Sequence, residues 1–303
     1  MQKPTLGWIG TGRMGYAMAE RLASAGCDLA VWNRTREKAL PLEAHGAAVV
    51  DAIEALAERD IVFCMVSTEK DVKEVVARLL SGAARPKMLV ECSSISLEGS
   101  AELRALLQAE NVQYLAAPVS GNAKVIRAGK LTFVVSGPRA AYEAARPFLD
   151  LMGAGSSYVG EGELARIAKI CHNVFLGVVI QSLCELTVLA QKAGMPRHAF
   201  LDFINRSVMG SMFTRYKTPA LVNLDFTVTF TPQLLRKDLD LGLDAGRAME
   251  APLPLAALTR ELLEAAIGQG MTDEDFAALI RLQARAAGIE LAPENVPVGD
   301  GLR

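Results

Sequence analysis

Apolar residues come in two rhythms along the chain. In the first half they form short, nearly unbroken runs: Leu6–Ile9, Leu29–Trp32, Ile61–Val66, Met88–Glu91, Tyr114–Ala116 and Leu131–Val135. Such runs, too short for helices, read as strands with both faces buried. Between them the apolar spacing changes to three and four. This predicts helices over Met14–Ala25, Asp71–Leu80, Gly99–Ala109 and Arg139–Leu151, the last with Pro147 near its final turn. Alternating units of this length predict an α/β domain with a doubly wound, mostly parallel sheet.

The second half changes character. From Glu163 to Ala193 runs one long, mainly apolar helical stretch with no proline and a single internal glycine, Gly177. Pro196–Asn205, Thr231–Met249, Leu255–Gln269 and Asp273–Ala287 also read as helices. The break falls in the glycine-rich segment Gly153–Gly162, which divides the chain into domains of residues 1–161 and 162–303. The tail Ala292–Arg303 reads as frayed.

The first strand leads directly into Gly10-Thr11-Gly12-Arg13-Met14-Gly15, and a helical pattern follows. In that order the three glycines allow a tight turn, close approach of a pyrophosphate, and close helix–strand packing. The helix N-terminus then offers free N–H groups to the anion. The pattern points to a dinucleotide. At the end of the second strand, 23 residues after Gly10, stands Asn33-Arg34-Thr35 in place of an acidic residue. A carboxylate there would repel a 2′-phosphate, whereas Asn33 and Thr35 can donate hydrogen bonds to it. Arg34 can pair with the phosphate or stack on adenine. NADP(H) is therefore favoured over NAD(H), although a solvated Arg34 in a polar loop fits the same residues.

Bulk properties narrow the partners. The net charge of −2 gives no electrostatic reason to expect nucleic acid or an anionic membrane. The five cysteines (Cys27, Cys64, Cys92, Cys171 and Cys184) lack C-x-x-C spacing. That suits a reducing cytoplasm and argues against a zinc site. A strand begins within six residues of the first methionine, so no signal peptide is expected. No run of eighteen consecutive apolar residues is present, so no membrane span is expected either.

Two further segments carry candidate chemistry. Ala116-Ala117-Pro118-Val119-Ser120-Gly121-Asn122 follows a predicted strand, where ligands of open sheets bind. The Ser120 hydroxyl and the N–H groups of Gly121 and Asn122 suit a substrate carboxylate, and equally an ordinary turn. In the long helix, Lys169 lies among Ile167, Ala168, Ile170 and Cys171, with Asn173 four residues on and on the same face. A lysine among apolar neighbours loses solvation, which fits it for proton transfer with an alcohol oxygen. A snorkelling surface lysine is the alternative. His172 reads as structural. Lys237, in Arg236-Lys237-Asp238-Leu239, reads as a charge on an amphipathic helix.

Taken together, these segments resemble the β-hydroxyacid dehydrogenase family, which includes 3-hydroxyisobutyrate dehydrogenase and the semialdehyde reductases. The resemblance runs from about Thr5 to Leu282. Gly10–Gly15 matches the family's G-x-G-x-M-G, and Ala117–Gly121 matches its A-P-V-S-G. Gly160–Asn173 matches the stretch that holds its lysine and asparagine, and Lys237–Leu239 matches K-D-L. The resemblance implies a Rossmann domain and an all-helical second domain, joined by the long helix and assembled as a homodimer or homotetramer. It implies Lys169 as general acid/base, Asn173 beside it, and Ser120, Gly121 and Asn122 on the carboxylate of a small substrate. Gly10, Thr11, Gly12, Arg13, Met14, Gly15, Asn33, Arg34 and Thr35 would hold the nucleotide. Met65, Val66 and Ser94 would line its ribose and nicotinamide, and Lys237 would close over it. The expected reaction interconverts a short 3-hydroxy acid and its semialdehyde.

The chain departs from that pattern in places. Ala116 stands where the family often has Asp, Asn122 where it has a second Gly, and His172 where it has Asn. Val66-Ser67 replaces Leu-Pro. An imine reductase is a competing reading, against which Lys169 argues. A non-catalytic NADP(H)-binding sensor is another.

Overall fold

A computed structural model describes residues 4–302. Expectations touching residues 1–3 and Arg303 lie outside them. The chain divides into two compact units, one up to Lys169 and one from Ile170.

The first unit is built on nine strands: β1 (Leu6–Ile9), β2 (Leu29–Trp32), β3 (Ala48–Val49), β4 (Ile61–Cys64), β5 (Met88–Glu91), β6 (Gln113–Ala116), β7 (Val119–Ser120), β8 (Thr132–Ser136) and β9 (Gly155–Gly160). Their order is β3-β2-β1-β4-β5-β6-β8-β7, with β9 on the other side of β8. From β3 to β6 all pairings are parallel; β8 runs antiparallel to β6 and β7. The central strands β1, β2, β4 and β5 are buried along their whole length. That is the arrangement their unbroken apolar runs demand. Helices α1 (Arg13–Ser24), α2 (Glu69–Leu79), α3 (Leu97–Ala109), α4 (Ala123–Arg127) and α5 (Arg139–Met152) complete the unit. Met18 and Leu22 of α1 and Leu149 of α5 pack with Trp8 and Phe63 on one face of the sheet. Val72 and Val76 of α2 and Leu103 and Leu107 of α3 pack with Ile9 and Val62 on the other. This is the doubly wound Rossmann architecture.

One expectation changes here. The segment read as a glycine-rich join contains β9, which pairs in parallel with β8 from Thr132↔Gly155 onward. The stretch between β2 and β4, where the sequence predicts no helix, holds three short 3₁₀ segments.

The second unit is helical. It takes most of α6 (Leu164–Lys192), then α7 (Arg197–Arg206), α8 (Met212–Asn223), α9 (Pro232–Ala248), α10 (Pro254–Gly268) and α11 (Leu279–Ala286). Its core joins Ile180, Cys184 and Val188 of α6 to Leu221, Leu235, Leu239, Leu263 and Phe276. Close packing of α6 on α9 rests on two glycines. A Cβ on Gly177 would stand 3.2 Å from Leu239, and one on Gly242 would stand 2.3 Å from Val174. By length and composition alone α6 would be long and apolar enough to cross a membrane, a test that core helices also pass, and half of its most apolar window is buried inside the protein.

Helix α8 was not legible, because it carries Pro219 and little amphipathic contrast. A capping box between Ser211 and Thr214 starts it. The tail also differs from its frayed reading. Glu294 accepts the N–H groups of Arg197 (2.6 Å) and His198 (3.0 Å). The buried Arg197 guanidinium donates to the carbonyls of Leu221 (2.8 Å), Val222 (2.6 Å) and Ala292 (2.6 Å).

Candidate active site

The glycine turn is built by interlocking contacts. Gly10 takes φ of +96°, and a Cβ there would lie 2.3 Å from the Met65 carbonyl. The buried Trp8 indole donates to the Gly10 carbonyl at 2.7 Å. A Cβ on Gly15 would lie 2.2 Å from the same oxygen, so only glycine lets α1 begin this close to β1. At Gly12, by contrast, nothing lies within 4 Å of a Cβ position. Gly12 is also the N-cap of α1, with no side-chain cap and no acidic residue in the first turn. The open face and uncapped N–H groups fit the phosphates of a dinucleotide.

Beyond the carboxyl ends of β1, β2 and β4 opens a cavity of about 310 Å³. It sits where the strand order reverses between β1 and β4, the position at which open parallel sheets bind ligands. Gly10, Gly12, Arg13, Met14 and Gly15 line it from the first turn. Asn33, Arg34 and Thr35 line it after β2, and Met65 and Val66 after β4. Thr11 and Ser94 are not among its lining residues. The Thr11 N–H donates to Asn33 Oδ1 at 2.8 Å, and Ser94 is exposed after β5. Asn33 Nδ2 donates in turn to the Thr35 carbonyl at 2.7 Å. Asn33, expected as a phosphate donor, thus clips two loops together.

Arg34 is 77 % exposed and reaches Asp71 Oδ1 at 3.4 Å. The Thr68 hydroxyl, then Arg34, hold the Asp71 carboxyl below its usual range against the cost of its partial burial. Lys38, which the sequence reading did not single out, also lines the cavity, as do Asp71 and Glu74. Lys38 lies four residues beyond Arg34, at the end of the short 3₁₀ segment Arg36–Lys38.

The carboxylate candidates sit at the joint between β7 and α4. Gly121 has φ of +138°, and a Cβ there would meet Val125 at 2.8 Å. Ser120 is half-buried. The Asn122 side-chain oxygen accepts the N–H groups of Lys124 (3.0 Å) and Val125 (3.1 Å), capping α4. None of the three lines the nucleotide cavity.

Lys169 and Asn173 stand one turn apart on α6, the first half-buried and the second buried. Asn173 Nδ2 donates to Asp238 Oδ2 at 2.6 Å, and its oxygen lies 2.9 Å from His172 Nδ1. Asp238 is 5 % exposed, and the Lys237 ammonium lies 3.4 Å from its other oxygen. Lys237 is on α9 in the second unit. A further buried pair, Arg166 with Glu91, was missed. The anomaly that singled out Lys169, a charge in an apolar helical run, marks Arg166 as well.

Comparison with known proteins agrees with this architecture. Residues 5–160 match the family described as the NAD-binding domain of 6-phosphogluconate dehydrogenase. Residues 162–283 match the family described as NAD-binding of NADP-dependent 3-hydroxyisobutyrate dehydrogenase. The chloroplastic glyoxylate/succinic semialdehyde reductase 2 of Arabidopsis thaliana is 30 % identical over 280 residues, covering 91 % of this chain and 78 % of that protein. A probable 3-hydroxyisobutyrate dehydrogenase of Mycobacterium tuberculosis is 32 % identical over 291 residues, covering 93 % of this chain and 99 % of that one. The solved Mycobacterium tuberculosis 3-hydroxyisobutyrate dehydrogenase with L-serine superposes with a TM-score of 0.82 at 31 % identity, covering 93 % of this chain and 99 % of that one. With a nucleotide cavity at the strand switch point and both family matches spanning the chain in order, this protein belongs to the β-hydroxyacid dehydrogenase family of nicotinamide-dependent oxidoreductases acting on CH–OH groups.

Proposed function

We propose that the protein interconverts a short 3-hydroxy acid and its semialdehyde with NADP(H), using Lys169 as general acid and base. The observation that carries this reading is the pairing on α6 of Lys169 with Asn173, whose amide is held by the buried Asp238. When bound, the reduced nicotinamide supplies a hydride to the carbonyl carbon. Lys169, as its ammonium ion, donates a proton from Nζ to the carbonyl oxygen, and its charge stabilises the oxyanion as it develops. In the reverse direction the neutral amine removes the hydroxyl proton. Asn173 orients the oxygen or the lysine. Ser120 and the N–H groups of Gly121 and Asn122 hold the substrate carboxylate.

The NADP(H) preference rests on the absence of a carboxylate at the end of β2. It is reinforced by Arg34, Thr35 and Lys38 around the cavity. The exposed Arg34–Asp71 pair is weak, about 1 kcal/mol or less, so a 2′-phosphate can replace Asp71 at little cost. Met65, Val66 and Ser94 are assigned to the ribose and nicotinamide, and Lys237 to closure over them. The names of the relatives, and the L-serine of the Mycobacterium tuberculosis structure, favour a small carboxylate bearing a hydroxyl on its β-carbon.

A homodimer or homotetramer is proposed on the apolar side chains exposed in the second unit, among them Phe175, Leu186 and Leu189 on α6 and Phe203 on α7. The five free cysteines favour the cytoplasm, and the net charge of −2 disfavours nucleic acid and membrane partners.

The test is the initial rate of NADPH and NADH oxidation with glyoxylate, succinic semialdehyde, tartronate semialdehyde and methylmalonate semialdehyde, with a cyclic imine as control. NADPH-dependent turnover of an aldehyde is the expected result. Turnover of the imine alone would replace this reading with an imine reductase, and tight NADPH binding with no turnover would favour a sensor.

A further inference from the structure

Four elements of the first unit meet at one buried cation. The Arg166 guanidinium, 1 % exposed, forms an ion pair with Glu91, which is fully buried at the end of β5. Arg166 Nη1 donates to the Ser93 carbonyl at 2.6 Å, Nη2 to the Tyr114 hydroxyl at 3.0 Å, and Nε to Ser100 Oγ at 3.2 Å. The other Glu91 oxygen accepts the Ser93 N–H at 2.6 Å. Ser93 Oγ in turn accepts the N–H of Val66, which lines the nucleotide cavity, at 2.9 Å. A chain of hydrogen bonds thus runs from the first turn of α6, through the loop after β5, to the wall of the cavity.

Stability alone does not account for this arrangement. Removing two charges from water costs several kcal/mol each, and an apolar pair of similar size would fill the space at least as well. Geometry does account for it. The planar guanidinium directs its donors in fixed directions, so all of them are satisfied at only one rotation and height of α6. Two neighbouring contacts share the load: Ser136 Oγ accepts the Ala165 N–H at 3.0 Å, and Arg104 Nε donates to Glu163 at 2.8 Å. Lys169 follows Arg166 by three residues on the same helix, about 4.5 Å along the axis.

We infer that Arg166 is a positioning residue. With Glu91 and Ser93 it fixes the rotation and height of α6, and so the place of the Lys169 ammonium, relative to the wall of the nucleotide cavity at Val66. The inference rests on the proposed acid–base role of Lys169. Misplacing a reacting group by about 1 Å costs on the order of 10²-fold in rate, so the expected signature is a loss in kcat with cofactor affinity kept.

Three variants and one control test this. Arg166→Met removes the cation, and the Glu91→Met/Arg166→Met double variant removes both charges and preserves folding should the single variant unfold. Ser93→Ala leaves the charge pair intact and cuts only the link to Val66. Each is assayed for NADPH affinity by fluorescence titration, for kcat and KM with the aldehyde that turns over best, and for melting temperature. A further readout needs no substrate: the pH dependence of Lys169 acetylation by acetic anhydride, followed by mass spectrometry. The expected result for the Arg166 variants is a 10- to 100-fold fall in kcat, NADPH affinity within about threefold, and a moved midpoint of Lys169 acetylation. For Ser93→Ala the expected fall in kcat is three- to tenfold. A lowered melting temperature with kcat and the acetylation midpoint unchanged would leave Arg166 a structural residue only and overturn the inference. The control is Lys169→Ala: full activity there would overturn the acid–base reading and the inference with it.

Discussion

Asn33 holds Thr11: the side-chain oxygen after β2 accepts the N–H at the centre of the glycine turn, at 2.8 Å. Its Nδ2 donates to the Thr35 carbonyl at 2.7 Å. The residue expected to donate to a 2′-phosphate thus also sets the shape of the loops around the cavity. Asn33→Ala should therefore weaken NADPH and NADH alike, by about tenfold, the value of one or two lost hydrogen bonds. Fluorescence titration with both cofactors checks this, and a loss confined to NADPH would return Asn33 to direct phosphate contact.

Selectivity should lie with the cations instead. Arg34→Ala and Lys38→Ala are each expected to weaken NADPH at least tenfold more than NADH, since charge-assisted contacts to a phosphate are worth about 1.5–3 kcal/mol. Parallel titrations at two salt concentrations measure the effect. Equal losses for both cofactors would remove the 2′-phosphate assignment.

Lys169→Ala should lower kcat by about 10²- to 10⁴-fold, the usual contribution of a positioned proton donor. NADPH affinity should change little. Steady-state rates and a binding titration on the same preparation separate the two effects, and a variant that keeps its kcat would end the proton-transfer role.

Asn122 caps α4 through its side-chain oxygen. Asn122→Ala should cost about 1 kcal/mol of stability, and Asn122→Gly only a few tenths. Both should raise KM for the aldehyde more than they lower kcat, because the cap fixes the N–H groups assigned to the carboxylate. A KM that stays flat while the melting temperature falls would confine Asn122 to its structural role.

Asp60 predicts an acid limit to stability. Its carboxylate lies 2.7 Å from the Lys87 ammonium and accepts the Thr5 N–H at 2.8 Å. The Lys87 contact, with the Thr5 hydrogen bonds, holds its pKa down at about 2. A depressed carboxylate stabilises the fold above its unfolded pKa, and that contribution fades as the pH falls from about 4 towards 2. Asp60→Asn should thus be less stable than the parent at pH 7, by about 1 kcal/mol after solvent screening. The gap should narrow by pH 3, as urea midpoints at the two pH values would show.

What the sequence disclosed was what sequence keeps local. The strand, turn and helix around Gly10–Gly15 are contiguous, and Lys169 and Asn173 share one helix, so periodicity was enough to place them. The partners that fix these groups were hidden by distance along the chain: Asn33 is 22 residues from Thr11, Asp238 is 65 from Asn173, and Glu91 is 75 from Arg166. β9 escaped because it lies in a glycine-rich segment and pairs with β8 alone. α8 escaped because Pro219 interrupts the pattern by which helices are recognised.

The clasp of Arg197 by the tail has a consequence for biosynthesis. Glu294 is 97 residues further along the chain, so a ribosome delivers it roughly 5–20 s after Arg197 at ordinary elongation rates. Throughout that interval the nascent second unit holds a cation shaped for burial without the acceptors that the tail brings. Its packing is completed late, and chaperones have that window in which to act.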